Sequence, residues 1–393
     1  MSSFQYNQEA VNNLKIEDTS ILDRLVDFES AREAHLKKEH AKVDKRMSLK
    51  DAIAKFVADG DVMTDAGFAY VRTPHQAYWE IMRQGKKNLQ CIGAPNTNHS
   101  FMIFNNNVDY SHNSYVGAEM RGIDRNYDRM LREGRVKILS EWSHGGVALG
   151  LKAAQLGTPG IFSKQMLGSD IIKYNPYTKV VQNPMRFDPD PVLFIPALYP
   201  DVSIIHCQVA DKYGNAYIYG PTVNDVATAA ATRKLIITAE EIVPESEIRN
   251  RKGTVIPFFY ADAVVEMPFG AVPGNMPGYY YWSRQWWEKM LRFGCSSNEN
   301  FKIFFDEWVF GCKDQFEFVD KLGGAKWIAE ARIQTKAAEG DHEDIDFSYE
   351  EFTRTHMIPV FIIDKGGHHE RLKRTCKPTG AARIHHCKTD PQS

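Results

Sequence analysis

The chain is poor in cysteine, which supplies only six of its 393 residues. No two cysteines stand in C-x-x-C spacing, so the sequence indicates neither a thioredoxin-type redox motif nor a four-cysteine zinc site. Scattered cysteines in a reducing compartment are typically free thiols, and we expect that state here rather than a disulfide framework. The six are Cys91, Cys207, Cys295, Cys312, Cys376 and Cys387.

The chain also lacks a long apolar run and any marked excess of charge of one sign. Its 48 Lys and Arg against 50 Asp and Glu give a formal net charge of -2, which gives no reason to expect a nucleic-acid or membrane-surface partner. The opening MSSFQYNQEA is too polar for a signal peptide, and no apolar run could cross a bilayer. We therefore expect a cytoplasmic protein. The glycines of GVALGLKAAQLG do not form G-x-G-x-x-G, so no nicotinamide or flavin cofactor is expected.

What the chain does contain is a helix, a strand and a glycine turn within residues 48–74. Ser48 begins an S-x-x-D capping box, and the apolar residues after it recur on one face of a helix that should end at Gly60. Residues 62–64 predict a short strand, and Gly67 then allows a sharp turn and a close approach to a ligand. Thr73 and Pro74 are predicted to cap and begin the next helix.

Beyond this stretch, predicted strands and helices alternate along the chain. Such alternation indicates an α/β fold with an open, mostly parallel sheet and flanking helices. Residues 169–191 are rich in proline and asparagine, and we predict that they cross the surface as an excursion. Residues 283–330 are predicted to be helical, with aromatic side chains that fill a core or a subunit interface.

The two ends of the chain differ from this central domain, which we place at residues 47–336. Residues 1–46 are predicted as a helical N-terminal arm, either packed on a partner subunit or lying as a surface helix. Residues 337–393 form a predicted C-terminal extension with an acidic linker, one candidate strand and a basic tail. Histidines and cysteines in that tail are ligand types suited to zinc, but their spacing fits no standard finger, so we expect no metal there. They are His368, His369, Cys376, His385, His386 and Cys387.

Six collinear segments together resemble the A (alpha) subunit of family I coenzyme A (CoA) transferases, and most closely the glutaconate CoA-transferase type. The resemblance covers Ser48 to about Leu322 and implies the CoA-transferase (NagB/RpiA-like) fold. The segments are SLKDAIAKFVADGD, the Gly67-Phe68 turn followed by Pro74, DVSIIHCQVADKYGNAYIYG, TAEEIVPESEIR, ADAVVEMPFGAVPG and EWVFGCKDQFEFVDKLG.

Two features depart from the family pattern. The family turn reads Gly-Gly-Phe, whereas this chain has Ala66, Gly67 and Phe68 there, preceded by Asp65. The segment GAPNTNHSFMIFNNN stands where relatives have a small, glycine-rich loop of the acyl pocket. The sequence therefore does not identify the acyl group that is transferred, and glutaconate is only one option.

The resemblance implies that this chain is half of an enzyme. In the family, the B (beta) subunit supplies a glutamate that attacks the acyl-CoA carbonyl, forms a mixed anhydride and becomes a thioester that passes CoA to a second carboxylic acid. No segment here resembles that nucleophile motif, so we expect a B subunit as partner, a hetero-oligomer, and an acyl-CoA thioester as substrate with no bound cofactor. This chain would contribute the walls of the acyl pocket. The backbone N–H groups of Gly67, Phe68 and Ala69 would donate hydrogen bonds to an oxyanion.

Glu141 is the acidic residue of this chain with the best claim to a catalytic role. It ends the predicted strand RVKILSE, at the carboxyl edge of the sheet. In the branch resembling ring-cleaving CoA-ester hydrolases, an A-subunit glutamate occupies this place, and burial could make Glu141 a base toward water or substrate. The alternative is a structural carboxylate that caps the next helix. His144 could orient Glu141 or a substrate oxygen, or could itself be a cap or surface residue.

Other polar residues are predicted to be structural. His206 is expected to be a satisfied core histidine. Glu240 and Glu241 point to opposite faces of a strand, so at most one enters a cleft. Three functions remain open: the A subunit of a CoA-transferase, which we favour; the A subunit of a hydrolase that cleaves a C–C bond using Glu141; and a non-catalytic scaffold subunit, suggested by the altered turn and the extra arm and tail.

Overall fold

The computed structural model describes residues 4–93, 98–117 and 124–338. All of them lie within the first of two compact units of the chain, Met1–Asp341. The predicted C-terminal extension, with its candidate strand and its histidines and cysteines, lies outside the described residues. The four cysteines inside them, at positions 91, 207, 295 and 312, are buried free thiols.

The described residues contain twelve strands in two sheets. They are β1 Val62–Asp65, β2 Leu89–Ile92, β3 Val108–Asn113, β4 Lys137–Glu141, β5 Gly160–Ser163, β6 Lys179–Gln182, β7 Pro191–Pro196, β8 Val202–Ala210, β9 Ala216–Ile218, β10 Lys234–Ile242, β11 Thr254–Ile256 and β12 Ala263–Glu266.

The larger sheet has nine strands and is mostly parallel. Strands β12, β10, β8, β1, β2, β3 and β4 pair in parallel in that order across the sheet. Antiparallel β9 pairs with the far end of β8, beyond the point where β1 stops, and carries β11 at its other edge. The predicted α/β class with an open, mostly parallel sheet is confirmed.

The same residues contain fourteen α-helices. They are α1 Gln8–Asn13, α2 Ser20–Val26, α3 Phe28–Leu36, α4 Leu49–Phe56, α5 His75–Arg83, α6 Asn98–Phe104, α7 Arg125–Arg132, α8 His144–Leu156, α9 Asp225–Ala231, α10 Glu245–Asn250, α11 Arg284–Arg292, α12 Asn298–Phe305, α13 Gln315–Leu322 and α14 Ala325–Ala338. Among the described residues, none of these helices combines the length and apolar character that a membrane crossing requires.

Apolar side chains from the two faces of the sheet enter separate hydrophobic clusters. Neighbours on a strand point to opposite faces; accordingly Met63 packs with helices α4 to α7 and α11 to α14, whereas Val62 packs with the N-terminal helices and α8. The aromatic residues of 283–330 fill the first cluster, where Trp286 and Trp287 are 2% and 1% exposed. Their predicted helical structure and core role are confirmed.

The N-terminal helices pack on this chain's own sheet. Leu22 and Leu25 of α2 lie in the same cluster as Leu139 of β4. The Arg233 side chain donates hydrogen bonds to the carbonyl oxygens of Arg24 and Asp27 in the arm, each at 3.0 Å. The arm is therefore joined to the central sheet by both apolar and polar contacts.

The starts of α4 and α5 show one correct and one wrong cap prediction. The Ser48 hydroxyl accepts the Asp51 amide at 3.1 Å, so the predicted N-cap is confirmed, and it donates to the Asp51 carboxylate at 2.6 Å, so this carboxylate bonds the cap hydroxyl and not a backbone amide. At α5, however, the Thr73 hydroxyl donates to the Ala69 carbonyl at 2.8 Å instead of capping the helix. Pro74 is the N-cap residue, and the helix begins one residue later than predicted.

The predicted excursion at residues 169–191 contains regular structure. Strand β6 lies within it and pairs with β7, which also pairs with β5, to give a three-stranded antiparallel sheet. This strand was not predicted within the excursion, because a four-residue strand beside prolines leaves little periodicity to detect. Between β6 and β7, the side chains of Met185 and Phe187 are exposed.

Candidate functional site

The carboxyl ends of β1 to β4 meet at one edge of the large sheet, since these strands are parallel and adjacent. In open α/β sheets this edge is where ligands bind. The turn at residues 66–72 follows β1, and Glu141 is the last residue of β4. The two predicted site regions thus lie at the same edge, with two strands between them.

The turn after β1 requires glycine at position 67. Gly67 has φ +96°, and a Cβ there would lie 2.6 Å from the Val71 carbonyl oxygen. The turn is closed by two backbone hydrogen bonds, from the Phe68 amide to the Val71 carbonyl at 2.9 Å and from the Val71 amide to the Phe68 carbonyl at 2.8 Å. Ala69, between them, takes the left-handed conformation with φ +53°. One glycine is therefore sufficient for this sharp reversal.

A buried ion pair fixes the turn to the rest of the domain. The Arg72 guanidinium donates to both carboxylate oxygens of Asp225, at 2.7 and 2.9 Å, and to the Pro221 carbonyl at 2.7 Å. The backbone of Asn275 adds two more hydrogen bonds, accepting from the Arg72 amide at 2.8 Å and donating to the Tyr70 carbonyl at 2.5 Å. Helix α9 and the loop after β12 thus hold the turn from two sides.

The three backbone amides predicted to bind an oxyanion differ in whether they already donate a hydrogen bond within the protein. The Phe68 amide is used inside the turn by the Val71 carbonyl. The Gly67 and Ala69 amides have no hydrogen-bond partner within residues 4–93, 98–117 and 124–338. An oxyanion bound here would therefore be served by Gly67 and Ala69, and the role itself stays a prediction.

Glu141 is partly buried and has one side-chain partner. Its Oε2 accepts a hydrogen bond from Asn113 Nδ2 at 2.9 Å, and the Asn113 Oδ1 in turn accepts from the Tyr127 hydroxyl at 3.1 Å. Burial raises the pKa of Glu141 above its ordinary value, and the Asn113 hydrogen bond offsets part of that rise. A carboxyl group in this state is suited to exchange a proton with a bound substrate or water.

Glu141 does not cap the helix that follows it. Ser143 is the N-cap residue of α8, and its hydroxyl accepts the Gly146 amide at 2.9 Å. The capping role given as the alternative for Glu141 is therefore wrong, and its catalytic role stays a prediction. Its backbone carbonyl accepts from Asn175 Nδ2 at 2.7 Å, which fixes the end of β4.

His144 connects the two site regions but does not orient Glu141. Both of its ring nitrogens are buried without a hydrogen-bond partner among the described residues. Its ring instead meets Phe68 edge to face, with centroids 5.7 Å apart. Burial lowers the pKa of His144, so the imidazole is neutral near pH 7. His144 therefore makes no hydrogen bond to Glu141, and its other predicted role, toward a substrate oxygen, stays a prediction.

His206 and Glu240 form a buried, satisfied network. His206 Nε2 lies 2.8 Å from a Glu240 carboxylate oxygen, and His206 Nδ1 lies 2.9 Å from the Thr238 hydroxyl. The same carboxylate accepts the Phe269 amide at 2.7 Å and the Tyr280 hydroxyl at 2.5 Å. Both predictions are confirmed: the histidine is a satisfied core residue, and its strand places Glu240 inside and Glu241 outside.

Sequence reasoning missed Asn113, Arg72 and Asp225. The only available signals were a glycine turn followed by a basic residue and an Asn-Asp pair before the alanine-rich residues 226–231, and neither identifies a partner. No group of three or more histidine, cysteine or acidic side chains that could bind a metal occurs in the described part of the chain. The histidines and cysteines of the tail lie outside it.

Comparisons with known proteins give a consistent result. A family model described as "Coenzyme A transferase" matches residues 46–267. An uncharacterised protein of Archaeoglobus fulgidus is 37% identical over 292 residues, which are 74% of this chain and 64% of that protein, so this chain spans less than two thirds of that relative.

Two further relatives carry functional names. The A subunit of glutaconate CoA-transferase from Acidaminococcus fermentans is 32% identical over 73% of this chain and 94% of its own length. The crystal structure of that organism's glutaconate CoA-transferase matches with a TM-score of 0.68 at 30% identity, covering 73% of this chain and 95% of the other. The cholesterol ring-cleaving hydrolase IpdA subunit of Rhodococcus jostii is 24% identical over 59% of this chain and 80% of that protein.

Proposed function

The chain belongs to the coenzyme A transferase family, and from that membership we propose that it is the A subunit of a heteromeric CoA-transferase. It would move CoA between an acyl-CoA and a carboxylic acid, with the nucleophilic glutamate on a B subunit. The similarity to the A subunit of a glutaconate CoA-transferase, which extends over 94% of that relative, supports this assignment. The acyl substrate and the partner are part of the proposal.

The observation that carries the proposal is the rigid turn after β1. Two backbone amides, those of Gly67 and Ala69, are free of partners among the described residues at the carboxyl edge of the sheet. The Arg72–Asp225 ion pair keeps them in place without help from a ligand. Donors that are already oriented stabilise a developing oxyanion without a cost of reorganisation during the reaction.

The proposed reaction has two matched halves. The B-subunit carboxylate attacks the thioester carbonyl, a tetrahedral oxyanion forms, and its collapse expels the CoA thiolate and leaves a mixed anhydride. The thiolate then attacks the glutamyl carbonyl of that anhydride and releases the first carboxylate, so that CoA is held as a glutamyl thioester. A second carboxylate reverses these steps. The amides of Gly67 and Ala69 would receive the oxyanion, and no net proton transfer is required.

Trapping of the covalent intermediate tests this function. The chain is co-purified with its B subunit, incubated with an acyl-CoA and treated with borohydride or hydroxylamine, and the B subunit is examined by peptide mass spectrometry. We expect one modified glutamate on that subunit, formed only when the acyl-CoA is present. Acyl-CoA consumption by the complex without any such modification would contradict the transferase assignment.

A specific observation also favours the hydrolase alternative. Glu141 has a raised pKa and a hydrogen-bond partner, Asn113, that comes from a different strand. Such a group could act as a base toward water in the cleavage of a CoA ester. One relative is named as a ring-cleaving hydrolase subunit, although its identity to this chain is only 24%.

Replacement of Glu141 separates the two functions. A hydrolase should lose at least about 100-fold in kcat in Glu141→Gln, the usual scale for a general base, and should incorporate solvent oxygen into its product. A transferase should retain thioester trapping in the same variant. Glu266→Gln, which removes an exposed carboxylate at the end of β12, is the matched control. Loss of activity in Glu141→Gln without trapping in the unaltered complex would decide for hydrolysis.

A further inference from the structure

A small cavity borders the turn after β1. Its volume is about 210 Å³, and its walls come from the turn, the loop after β9, the loop after β12 and helix α14. We call it the Val71 cavity; its main lining residues are Val71, Tyr219, Pro221, Asn275, Tyr281 and Thr335. Tyr219 is 46% exposed, so the cavity opens to the surface beside that ring.

Two polar atoms in the wall of the Val71 cavity lack partners. Thr335 is only 4% exposed, and its hydroxyl has no hydrogen-bond partner among the described residues. The side-chain oxygen of Asn275 is likewise buried and without a partner in that part of the chain. Buried polar atoms in native proteins are usually satisfied, by protein, by ordered water or by a ligand. Both are neutral, so the bonds they lack are those of a neutral hydrogen-bonding ligand or water.

The remaining wall of the cavity is apolar and carries no charge. Tyrosine and proline rings make up much of it, and no lining residue is acidic or basic. Arg72, the next residue after Val71, is already bonded to both oxygens of Asp225. An ionised carboxylate inside the cavity would therefore meet no charged lining residue and would pay the cost of desolvation.

The cavity and the unpaired amides belong to the same turn. Val71 lines the cavity and follows Ala69 by two residues. A carboxyl or thioester group at the amides of Gly67 and Ala69 would therefore lie on the same turn that forms one wall of the cavity. An apolar cavity of about 150 Å³ is large enough for benzene, so a volume of 210 Å³ admits an aromatic ring with a small substituent.

We propose that the Val71 cavity receives the acyl group of the substrate, and that this group is uncharged, apolar or aromatic, and able to carry one neutral hydroxyl or comparable polar atom. The substrate class is then an aromatic or branched monocarboxylic acid and its CoA thioester, not a dicarboxylic acid. This inference rests on the proposed function for its connection to CoA, but the binding preference can be measured without turnover.

Direct binding to the full-length chain with its B subunit tests the preference. The probes are 4-hydroxybenzoate, benzoate and glutarate, measured by calorimetry. We expect 4-hydroxybenzoate to bind at least 10-fold more tightly than glutarate, and at least 3-fold more tightly than benzoate. Val71→Phe, which fills the cavity, should weaken 4-hydroxybenzoate binding by at least 10-fold. Thr335→Val, which keeps the shape of the side chain and removes the hydroxyl, should abolish the advantage over benzoate.

A control variant separates the cavity from general effects of added volume. Val180→Phe makes the same substitution at a residue of β6 that is 52% exposed, and it should leave binding unchanged. Val71→Phe must also keep the melting temperature of the unaltered complex within a few degrees; if it does not, Thr335→Val alone decides. The inference would be overturned if glutarate bound more tightly than 4-hydroxybenzoate, or if Val71→Phe and Val180→Phe weakened binding equally. It would also be overturned if Thr335→Val still bound 4-hydroxybenzoate more tightly than benzoate.

Trapping experiments with two acyl-CoA substrates distinguish an error in the substrate class from an error in the proposed function. If the B-subunit thioester is trapped with glutaryl-CoA but not with 4-hydroxybenzoyl-CoA, the transferase assignment stands and the substrate class is wrong. If no thioester is trapped with either but the binding preference and its loss in Val71→Phe are observed, the cavity is a ligand site and the transferase assignment is wrong.

Discussion

Gly67 is the residue on which the geometry of the proposed oxyanion site depends. Gly67→Ala places a Cβ 2.6 Å from the Val71 carbonyl at a φ of +96°, so the turn must shift. Gly60→Ala is a matched control, because Gly60 has φ +83° and its Cβ would meet nothing within 4 Å. We expect Gly60→Ala to cost about 1 kcal/mol of unfolding free energy for the backbone strain alone, and Gly67→Ala about 2–4 kcal/mol.

The consequences of these two variants for activity should differ even more. Gly67→Ala moves the two amides, and loss of one oxyanion donor typically lowers kcat by about 100-fold or more. Gly60→Ala should keep the activity of the unaltered complex. Urea unfolding and steady-state kinetics measure the two effects separately. If Gly67→Ala and Gly60→Ala had the same unfolding free energy and the same kcat, the turn would have no role in oxyanion binding.

Glu141 gives a prediction in the pH dependence of stability. Its pKa is raised in the folded state, so the protonated form favours folding; the stability that it contributes is complete below the unfolded pKa and is lost as pH rises through the folded pKa. Glu141→Gln cannot titrate and retains an oxygen acceptor for Asn113. The stability of the unaltered chain relative to this variant should therefore fall as pH rises above the ordinary pKa of a glutamate, as measured by urea unfolding. A constant difference would contradict the raised pKa.

Among the elements, the strands β2, β3 and β4 are joined by a buried histidine. His112 of β3 bonds through Nδ1 to the Ser140 hydroxyl of β4 at 2.8 Å and lies through Nε2 3.1 Å from the Gln90 side chain of β2. Burial lowers the pKa of His112 to about 3. The histidine is therefore neutral in the folded protein and becomes charged on unfolding below about pH 6.5.

This arrangement should make the sheet acid-sensitive. Because the folded pKa is lowered, the stability that His112 contributes is present above the unfolded pKa and is lost as pH falls toward the folded value; at pH 5 the loss is roughly 2 kcal/mol. His112→Gln should cost about 1–2 kcal/mol at pH 7 through poorer hydrogen bonds, and that cost should shrink or reverse at pH 5. His40→Gln, at an exposed position, is the control. A cost that stays constant across this range would refute the prediction.

The same strand explains which elements could be predicted from the sequence. Strands with apolar residues, such as β8 and β10, are recognisable in the sequence by their β-branched runs. Strand β3 reads VDYSHN and was missed, because its buried polar side chains are satisfied by neighbouring strands and hydropathy cannot reveal such partners. Helix α6 was missed in the same way: it is seven residues long, and its first turn is formed by buried polar residues.

The position of the candidate site could be predicted from the sequence, but the contacts between its residues could not. That Glu141 ends a strand at the carboxyl edge follows from the local pattern. Its hydrogen bond with Asn113 depends on the register between β3 and β4, where these two residues are paired. The contact between His144 and Phe68 joins segments whose strands are separated by two others. Such relations arise from the assembled sheet, and no local sequence signal specifies them.

For the whole molecule, the N-terminal helices form part of one of the hydrophobic clusters that cover the sheet. Helix α2 supplies Leu22 and Leu25 to the cluster that covers one face of the sheet. The side chain of Arg24 in the same helix bonds to Asp61 at 3.0 Å and to Asp201 at 2.6 Å, on the segments that lead into β1 and β8. An arm that only contacted a partner subunit would not require these contacts within its own chain.

This packing predicts that a substitution in the arm destabilises the domain as a whole. Leu25 is 1% exposed, and Leu25→Ala should cost about 3 kcal/mol of unfolding free energy, the usual scale for a leucine removed from a core. Leu36 at the end of α3 is 71% exposed, so Leu36→Ala should cost less than about 0.5 kcal/mol. Urea unfolding followed by tryptophan fluorescence measures the central domain, because the tryptophans lie outside the arm. If both variants unfold at the urea midpoint of the unaltered chain, the arm contributes nothing to the stability of the sheet that carries the site.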